Sequence, residues 1–132
     1  MTGPVILDLS RLLWRAARFA PTGIDRVELA YARHLIATIP ERLHFSGWWG
    51  RMSLLLQQQS IQLVAALDQV WSGAVIDAGA HARVRALTGQ LRAHAFWHGE
   101  RALQAYVRGL AETATYLLVS HYRLIARARC CA

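Results

Sequence analysis

The sequence has no lysine and no asparagine, and its two cysteines, Cys130 and Cys131, are adjacent near the end of the chain. Neighbouring cysteines rarely form a disulfide bond with each other without strain. Neither cysteine has the spacing of a metal ligand, and there is no Cys-x-x-Cys motif. We therefore assign these two residues no function.

Long apolar runs are also missing. No uninterrupted stretch reaches the roughly 18 residues needed to span a bilayer. Residues 1–4 contain no basic residue, and Asp8 and Arg11 interrupt the apolar stretch that follows, so a secretory signal peptide is not indicated. We predict a cytoplasmic protein, with a peripheral contact to a membrane face as the alternative.

Positive charge is plentiful, and arginine alone carries it. The net charge is +7, and all 15 basic residues are arginines. A GC-rich genome accounts for this bias, and the alternative is a surface for phosphates, nucleotides or anionic lipid. Nucleic-acid binding requires a dense basic patch, whereas only Arg11, Arg15 and Arg18 lie close together here. We predict no nucleic-acid partner.

The patterning predicts one α/β domain. Apolar residues make up 55% of the 132 residues and charged residues 17%, which excludes a disordered chain. Residues 5–10 and 115–119 have the apolar character of buried strands, and residues 43–50 alternate like a strand or a hairpin arm. Stretches with the residue spacing of helices separate these predicted strands. The predicted fold class is α/β, with a Rossmann-like parallel sheet flanked by helices.

The clearest predicted helix begins after Thr22 and ends before Pro40. Thr22 is a favoured N-cap, and Asp25, three residues later, completes a variant of the capping box. Apolar and other residues recur at helical spacing and are expected to face the core: Ile24, Val27, Tyr31, His34, Leu35 and Thr38.

The loop at the start of this helix is the first candidate site. A helix N-terminus offers free N–H groups and a partial positive charge that suit a phosphate or a sugar hydroxyl. Gly23 lets a ligand approach the backbone, and Arg26 adds donors suited to phosphate. Asp25 competes for the same N–H groups. The alternative is an ordinary capped helix with an Arg–Glu pair on its surface.

The second candidate is Ser120-His121, which follows the strand predicted at 115–119. A histidine there can orient a substrate or act as an acid or base near neutral pH, and the alternative is a histidine hydrogen-bonded to a neighbouring loop. Carboxyl ends of parallel strands share one sheet edge, so His121 and the Gly23 loop are expected on the same edge. His94 and His98 lack a third metal ligand, so no metal site is predicted.

Two stretches resemble bacterial glycosyltransferases of the two-domain GT-B fold (group 1 or family 4 type). One such group opens with a strand, an Asp-x-Ser-Arg-Leu stretch, and Thr-Gly-Ile-Asp-Arg-Val leading into a helix with Ala-Tyr. Here these are residues 8–12, 22–27 and 30–31. The second match is Val-Ser-His at 119–121, followed by Leu124.

The resemblance implies a function in polysaccharide biosynthesis. Such enzymes transfer a hexose from a sugar nucleotide to a glycan or lipid-linked acceptor without a bound metal, often at the inner membrane. The N-terminal domain mainly handles the acceptor, and the C-terminal domain holds most of the donor nucleotide. By this analogy Thr22, Gly23, Ile24, Asp25, Arg26 and Ser120 are substrate-binding residues near the donor phosphates or sugar, and His121 is catalytic, beside the transferring sugar.

The resemblance covers an incomplete N-terminal domain over residues 1–124, and residues 125–132 form an atypical tail rich in Arg, Ala and Cys. We expect the C-terminal domain to be missing and this polypeptide alone to be inactive, because transfer needs both halves of the cleft. The alternative is a small non-catalytic α/β module that docks on a partner protein or a membrane face.

Overall fold

The computed structural model describes residues 3–16, 21–48, 52–72, 78–110 and 114–117. The strands are β1 (Val5–Asp8), β2 (Leu43–Trp48), β3 (Met52–Leu54) and β4 (Thr115–Leu117). The helices are α1 (Ser10–Arg15), α2 (Gly23–Thr38), α3 (Gln57–Ser72), α4 (Ala78–His94) and α5 (Glu100–Arg108), and a π-helical turn, Ala95–Gly99, joins the last two. The predicted boundary at 124 and the tail at 125–132 lie outside the described residues.

The four strands form one mixed sheet in the order β3-β2-β1-β4. β1 runs parallel to both of its neighbours, whereas β3 runs antiparallel to β2. The prediction of an α/β fold is confirmed. The predicted parallel sheet is instead mixed, because β3 pairs antiparallel with β2, as the hairpin-arm alternative for this stretch allows. Only three residues separate β2 from β3, and a connection so short makes a hairpin, since a parallel crossover needs a dozen or more residues.

β1 is the centre of the sheet, and all four of its residues are buried. The core around it consists of apolar side chains from both sheet and helices, including Leu7, Phe45, Leu63, Leu67 and Leu91. β4 was expected to be a buried strand reaching residue 119. It lies at the sheet edge, its described residues are only half-buried, and residues 118–119 are outside the described part.

Helix α2 has the predicted length but buries a different face. Ile24, Val27 and Tyr31 are 42–51% exposed, so the expectation that they face the core is wrong. The buried residues follow the i, i+3, i+4, i+7 pattern one position later, at Asp25, Glu28, Leu29 and Ala32. One position corresponds to a rotation of about 100° around the helix axis. The ion pairs of Asp25 with Arg11 and Arg15, described below, stabilise this orientation of α2.

The remaining helices cover the sheet. α3 begins at Gln57 and packs along α4. The π-helical turn lies against β3, where a methyl group added to Gly99 would come within 2.6 Å of the Ser53 Cβ. None of the described helices is long and apolar enough to cross a membrane.

Candidate functional site

A group of buried and partly buried polar residues lies where β1 ends and α2 begins. We call it the strand-end cluster, and its members are Asp8, Arg11, Arg15, Asp25, Glu28, Ser46 and Tyr116. Asp8 is the last residue of β1, and Ser46 lies opposite it in the register of β2. The carboxyl ends of parallel strands are the edge at which open α/β folds bind ligands. The cluster therefore occupies the position where a site is expected.

Asp8 connects three parts of the fold. Its Oδ1 atom accepts a hydrogen bond of 2.8 Å from the Ser10 N–H, the first residue of α1. Its Oδ2 atom accepts a hydrogen bond from the Tyr116 hydroxyl of β4. The Ser46 hydroxyl donates to the Tyr116 oxygen at 3.3 Å. Asp8, an acidic residue in an apolar strand, is therefore buried with both carboxylate oxygens accepting hydrogen bonds.

Asp25 is the most heavily hydrogen-bonded carboxylate of the cluster. The Arg11 Nε atom donates to Oδ1 at 3.1 Å, and the Arg15 Nε atom donates to Oδ2 at 3.0 Å. The Thr22 N–H also donates to Oδ2, at 2.8 Å, and the Thr22 hydroxyl accepts from the Asp25 N–H at 3.3 Å. The predicted capping box is therefore confirmed. The guanidinium groups of Arg11 and Arg15, both on α1, add two hydrogen bonds to the Asp25 carboxylate of this capping box.

The pKa of Asp25 reflects these donors. Burial acts to raise the pKa, because removing a carboxylate from water disfavours its charge. The hydrogen bonds from Thr22, the hydrogen bond from Arg15 and the charge of Arg15 outweigh burial, and the pKa lies below its ordinary value of 3.8. Asp25 is consequently ionised at neutral pH.

Glu28, one turn along the same helix face, is in the opposite situation. It is only 5% exposed, and its Oε2 atom has no hydrogen-bond partner among the described residues. Burial raises the pKa of Glu28 to about 7, Arg11 opposes the shift, and the charges of Asp8 and Asp25 add to it. The alternative of an Arg–Glu surface pair is wrong, because Glu28 is buried and the arginine side chains bind Asp25 instead.

Four of the other predicted site residues are on the surface. Thr22, Gly23, Ile24 and Arg26 are exposed at the start of α2. Beyond its chain neighbours and its own helix backbone, a methyl group added to Gly23 would meet no atom of the described residues within 4 Å, so these residues leave the backbone there open. Ser120 and His121 lie outside the described residues, and their place beside the Gly23 loop stays a prediction.

Of the seven members of the strand-end cluster, the sequence predicted only Asp25 as a site residue. Arg15 lies four residues after Arg11, so one helix face carries both arginines, and this spacing was the available signal. Ser46 and Tyr116 had no comparable signal, because 70 residues separate them along the chain. Only the sheet brings them together.

No group of three or more metal-ligating side chains that could hold an ion occurs within the described ranges. The imidazole rings of His94 and His98 do approach each other, with centroids 5.4 Å apart. Burial and the neighbouring His98 lower the pKa of His94.

Comparison of the chain with protein-family models, with curated proteins and with solved structures gave no match. The case for a function therefore depends on the strand-end cluster and on the two stretches that resemble glycosyltransferases.

Asp25→Ala should cost about 3 kcal/mol in the free energy of unfolding, because it removes the partner of two part-buried guanidinium groups and the helix cap together. Asp68→Ala is the matched control. Asp68 pairs with Arg33 at 3.1 Å, but the two side chains are 37% and 58% exposed, so its loss should be within about 1 kcal/mol. Equilibrium unfolding in urea measures both values, and equal losses would contradict the buried pairing.

Glu28→Gln should remove a pH dependence of stability. Between pH 4.5 and about 7 the folded protein keeps a proton on Glu28 that the unfolded chain releases, so stability falls as pH rises through this window. The total loss is about 3 kcal/mol at 1.4 kcal/mol per pKa unit. Urea unfolding at several pH values gives the free energy of unfolding of the wild type and of Glu28→Gln. The difference between the two curves isolates the contribution of Glu28, because His44 and His94 contribute equally to both proteins. Parallel curves would contradict it.

Proposed function

We propose that this chain contributes the acceptor-side half of a hexosyltransferase site, in the N-terminal domain of a Rossmann-like GT-B enzyme. One observation carries the proposal. The two N-terminal stretches that resemble the family, residues 8–12 and 22–27, come together in space, because Arg11 of the first binds Asp25 of the second. They meet at the carboxyl end of β1, where α/β enzymes bind their substrates.

The start of α2 suits the phosphates of a sugar nucleotide. The N–H groups of Asp25 and Arg26 are used by Thr22, whereas those of Gly23 and Ile24 have no hydrogen-bond partner in the described part of the chain. Two guanidinium groups surround the single Asp25 carboxylate, so its charge is more than compensated and no longer opposes an anion. The exposed Arg26 adds a further cation.

In this proposal Ser120 and His121 lie beside the transferring sugar, as the resemblance implies. Most contacts to the donor nucleotide come from a second domain. Because transfer requires both halves of the cleft, the residues present here are expected to bind a sugar nucleotide weakly and not to turn it over.

Titration of the chain with a panel of uridine and guanosine diphosphate hexoses, followed by ³¹P NMR, tests the proposal. At least one should bind, and Arg26→Ala should weaken it about tenfold, the effect of losing one charge-assisted hydrogen bond. Arg85→Ala is the control, since it removes the same charge from an exposed position on α4. No binding, or equal effects of the two variants, would overturn the proposal.

A non-catalytic docking module is the second candidate, and the outer face of α2 favours it. Ile24, Val27 and Tyr31 form an exposed apolar stripe at positions i, i+3 and i+7, which is the spacing by which a helix contacts another protein or a membrane surface. If the chain binds none of the sugar nucleotides, the docking module is the better-supported candidate.

A further inference from the structure

One continuous helical stretch carries positive charge with little negative charge to match it. Helix α4, the π-helical turn and α5 follow one another from Ala78 to Arg108, and the backbone is α-helical at His94 and Glu100, on either side of the turn. The stretch contains five arginines and one acidic residue, Glu100, which is half-buried. The surface of this stretch is therefore strongly basic.

The stretch has a buried side and an exposed side. The buried residues recur every three or four positions and pack on the rest of the domain: Val84, Leu87, Leu91, Ala95 and Gly99. Five exposed residues are separated by spacings such as four, seven and eleven, which return to one side of a helix. We call them the outer face, and they are Arg85, Phe96, Trp97, Arg101 and Arg108.

Two aromatic rings lie near the middle of the outer face. Phe96 is 63% exposed and Trp97 is 72% exposed, the two highest values among the exposed large hydrophobic residues of the described chain. Their ring centroids are 5.0 Å apart, and the rings meet edge to face. Adjacent exposed apolar side chains surrounded by charged groups are typical of an interaction surface. Tryptophan in particular is enriched where lipid meets water.

The arrangement favours an anionic lipid surface over a nucleic acid or an acidic protein. From Arg85 to Arg108 the outer face extends over about 35 Å of helix axis, and its arginines are spread along this length rather than gathered in the dense patch that nucleic-acid binding requires. An acidic protein accounts for the arginines alone. A bilayer also accounts for the rings, because apolar side chains enter its headgroup boundary while arginines reach the lipid phosphates.

We propose that the outer face docks this chain on the surface of an anionic phospholipid bilayer. The helical stretch lies along the surface, with the rings of Phe96 and Trp97 in the headgroup boundary and the outer-face arginines at lipid phosphates. The inference goes beyond the proposed function and does not rest on it. It uses no residue of the strand-end cluster or of the apolar stripe of α2.

Flotation of the full chain with lipid vesicles tests this. The chain should bind vesicles of phosphatidylcholine and phosphatidylglycerol in equal proportion more tightly than phosphatidylcholine alone, and added salt should weaken the binding. Trp97→Ser should weaken it about tenfold or more, because the ring no longer leaves water, whereas Trp97→Phe should retain most of it. Arg101→Ala should weaken it about fivefold, the effect of one charge near an anionic surface.

Tyr31→Ser and Arg33→Ala are the matched controls. Tyr31 is 51% exposed and the Arg33 side chain 58% exposed, and both lie on α2. These variants remove an aromatic ring and a positive charge from a different surface, so both should bind vesicles like the wild type. Circular dichroism checks that each variant is folded. If Trp97→Ser does not fold, the lipid and salt dependence of the wild type and the effect of Arg101→Ala still decide.

Four outcomes would overturn the inference. The chain binds no anionic vesicles, it binds both kinds of vesicle equally, or the α2 variants lose as much binding as the outer-face variants. The fourth is tighter binding to a single-stranded oligonucleotide or to polyglutamate than to anionic vesicles, which would identify another class of partner. Each of these results leaves the sugar-nucleotide proposal untouched, because that proposal is tested by ligand binding at Arg26 without lipid.

Discussion

The ion pairs between Asp25 and two arginines of α1 determine how the N-terminal half of this fold is arranged. They join α1 to the first turn of α2 and hold that turn at the carboxyl end of β1. A carboxylate that receives donors from a backbone amide and two guanidinium groups is stable when buried, whereas the same carboxylate with fewer donors would be strongly disfavoured. The position of α2 follows from this requirement, and its apolar outer residues remain on the surface as a result.

The N-terminal part of α2 carries two carboxyl groups, Asp25 and Glu28, whose pKa values are shifted in opposite directions. Asp25 and Glu28 are three residues apart on one face, but the Asp25 carboxylate accepts hydrogen bonds from three residues, whereas Glu28 Oε2 has no partner among the described residues. The pKa of the first is lowered and that of the second is raised. Titratable groups whose environments push their pKa values apart are typical of functional sites.

Local features of the fold were predictable from the sequence, and contacts between distant residues were not. Thr22 and Asp25 form a capping box through four consecutive residues, so the start of α2 could be predicted. The face that α2 buries could not be predicted. Arg11 and Arg15 bind Asp25 and so place it on the buried face, whereas the apolar spacing of Ile24, Val27 and Tyr31 indicates a face one position away. The hydrogen bond between Asp8 and Tyr116 joins residues 108 positions apart. His121 stays a prediction from resemblance.

The most direct test of the buried carboxyl network is a ¹³C NMR titration of the side-chain carboxyl groups of Asp25 and Glu28 in the wild-type protein. We expect the pKa of Glu28 to lie near 7, far above its ordinary 4.5, and the pKa of Asp25 to lie below 3.8. Titration of both groups at their ordinary values would contradict it, since two solvated carboxylates cannot form the buried network from which the candidate site is built.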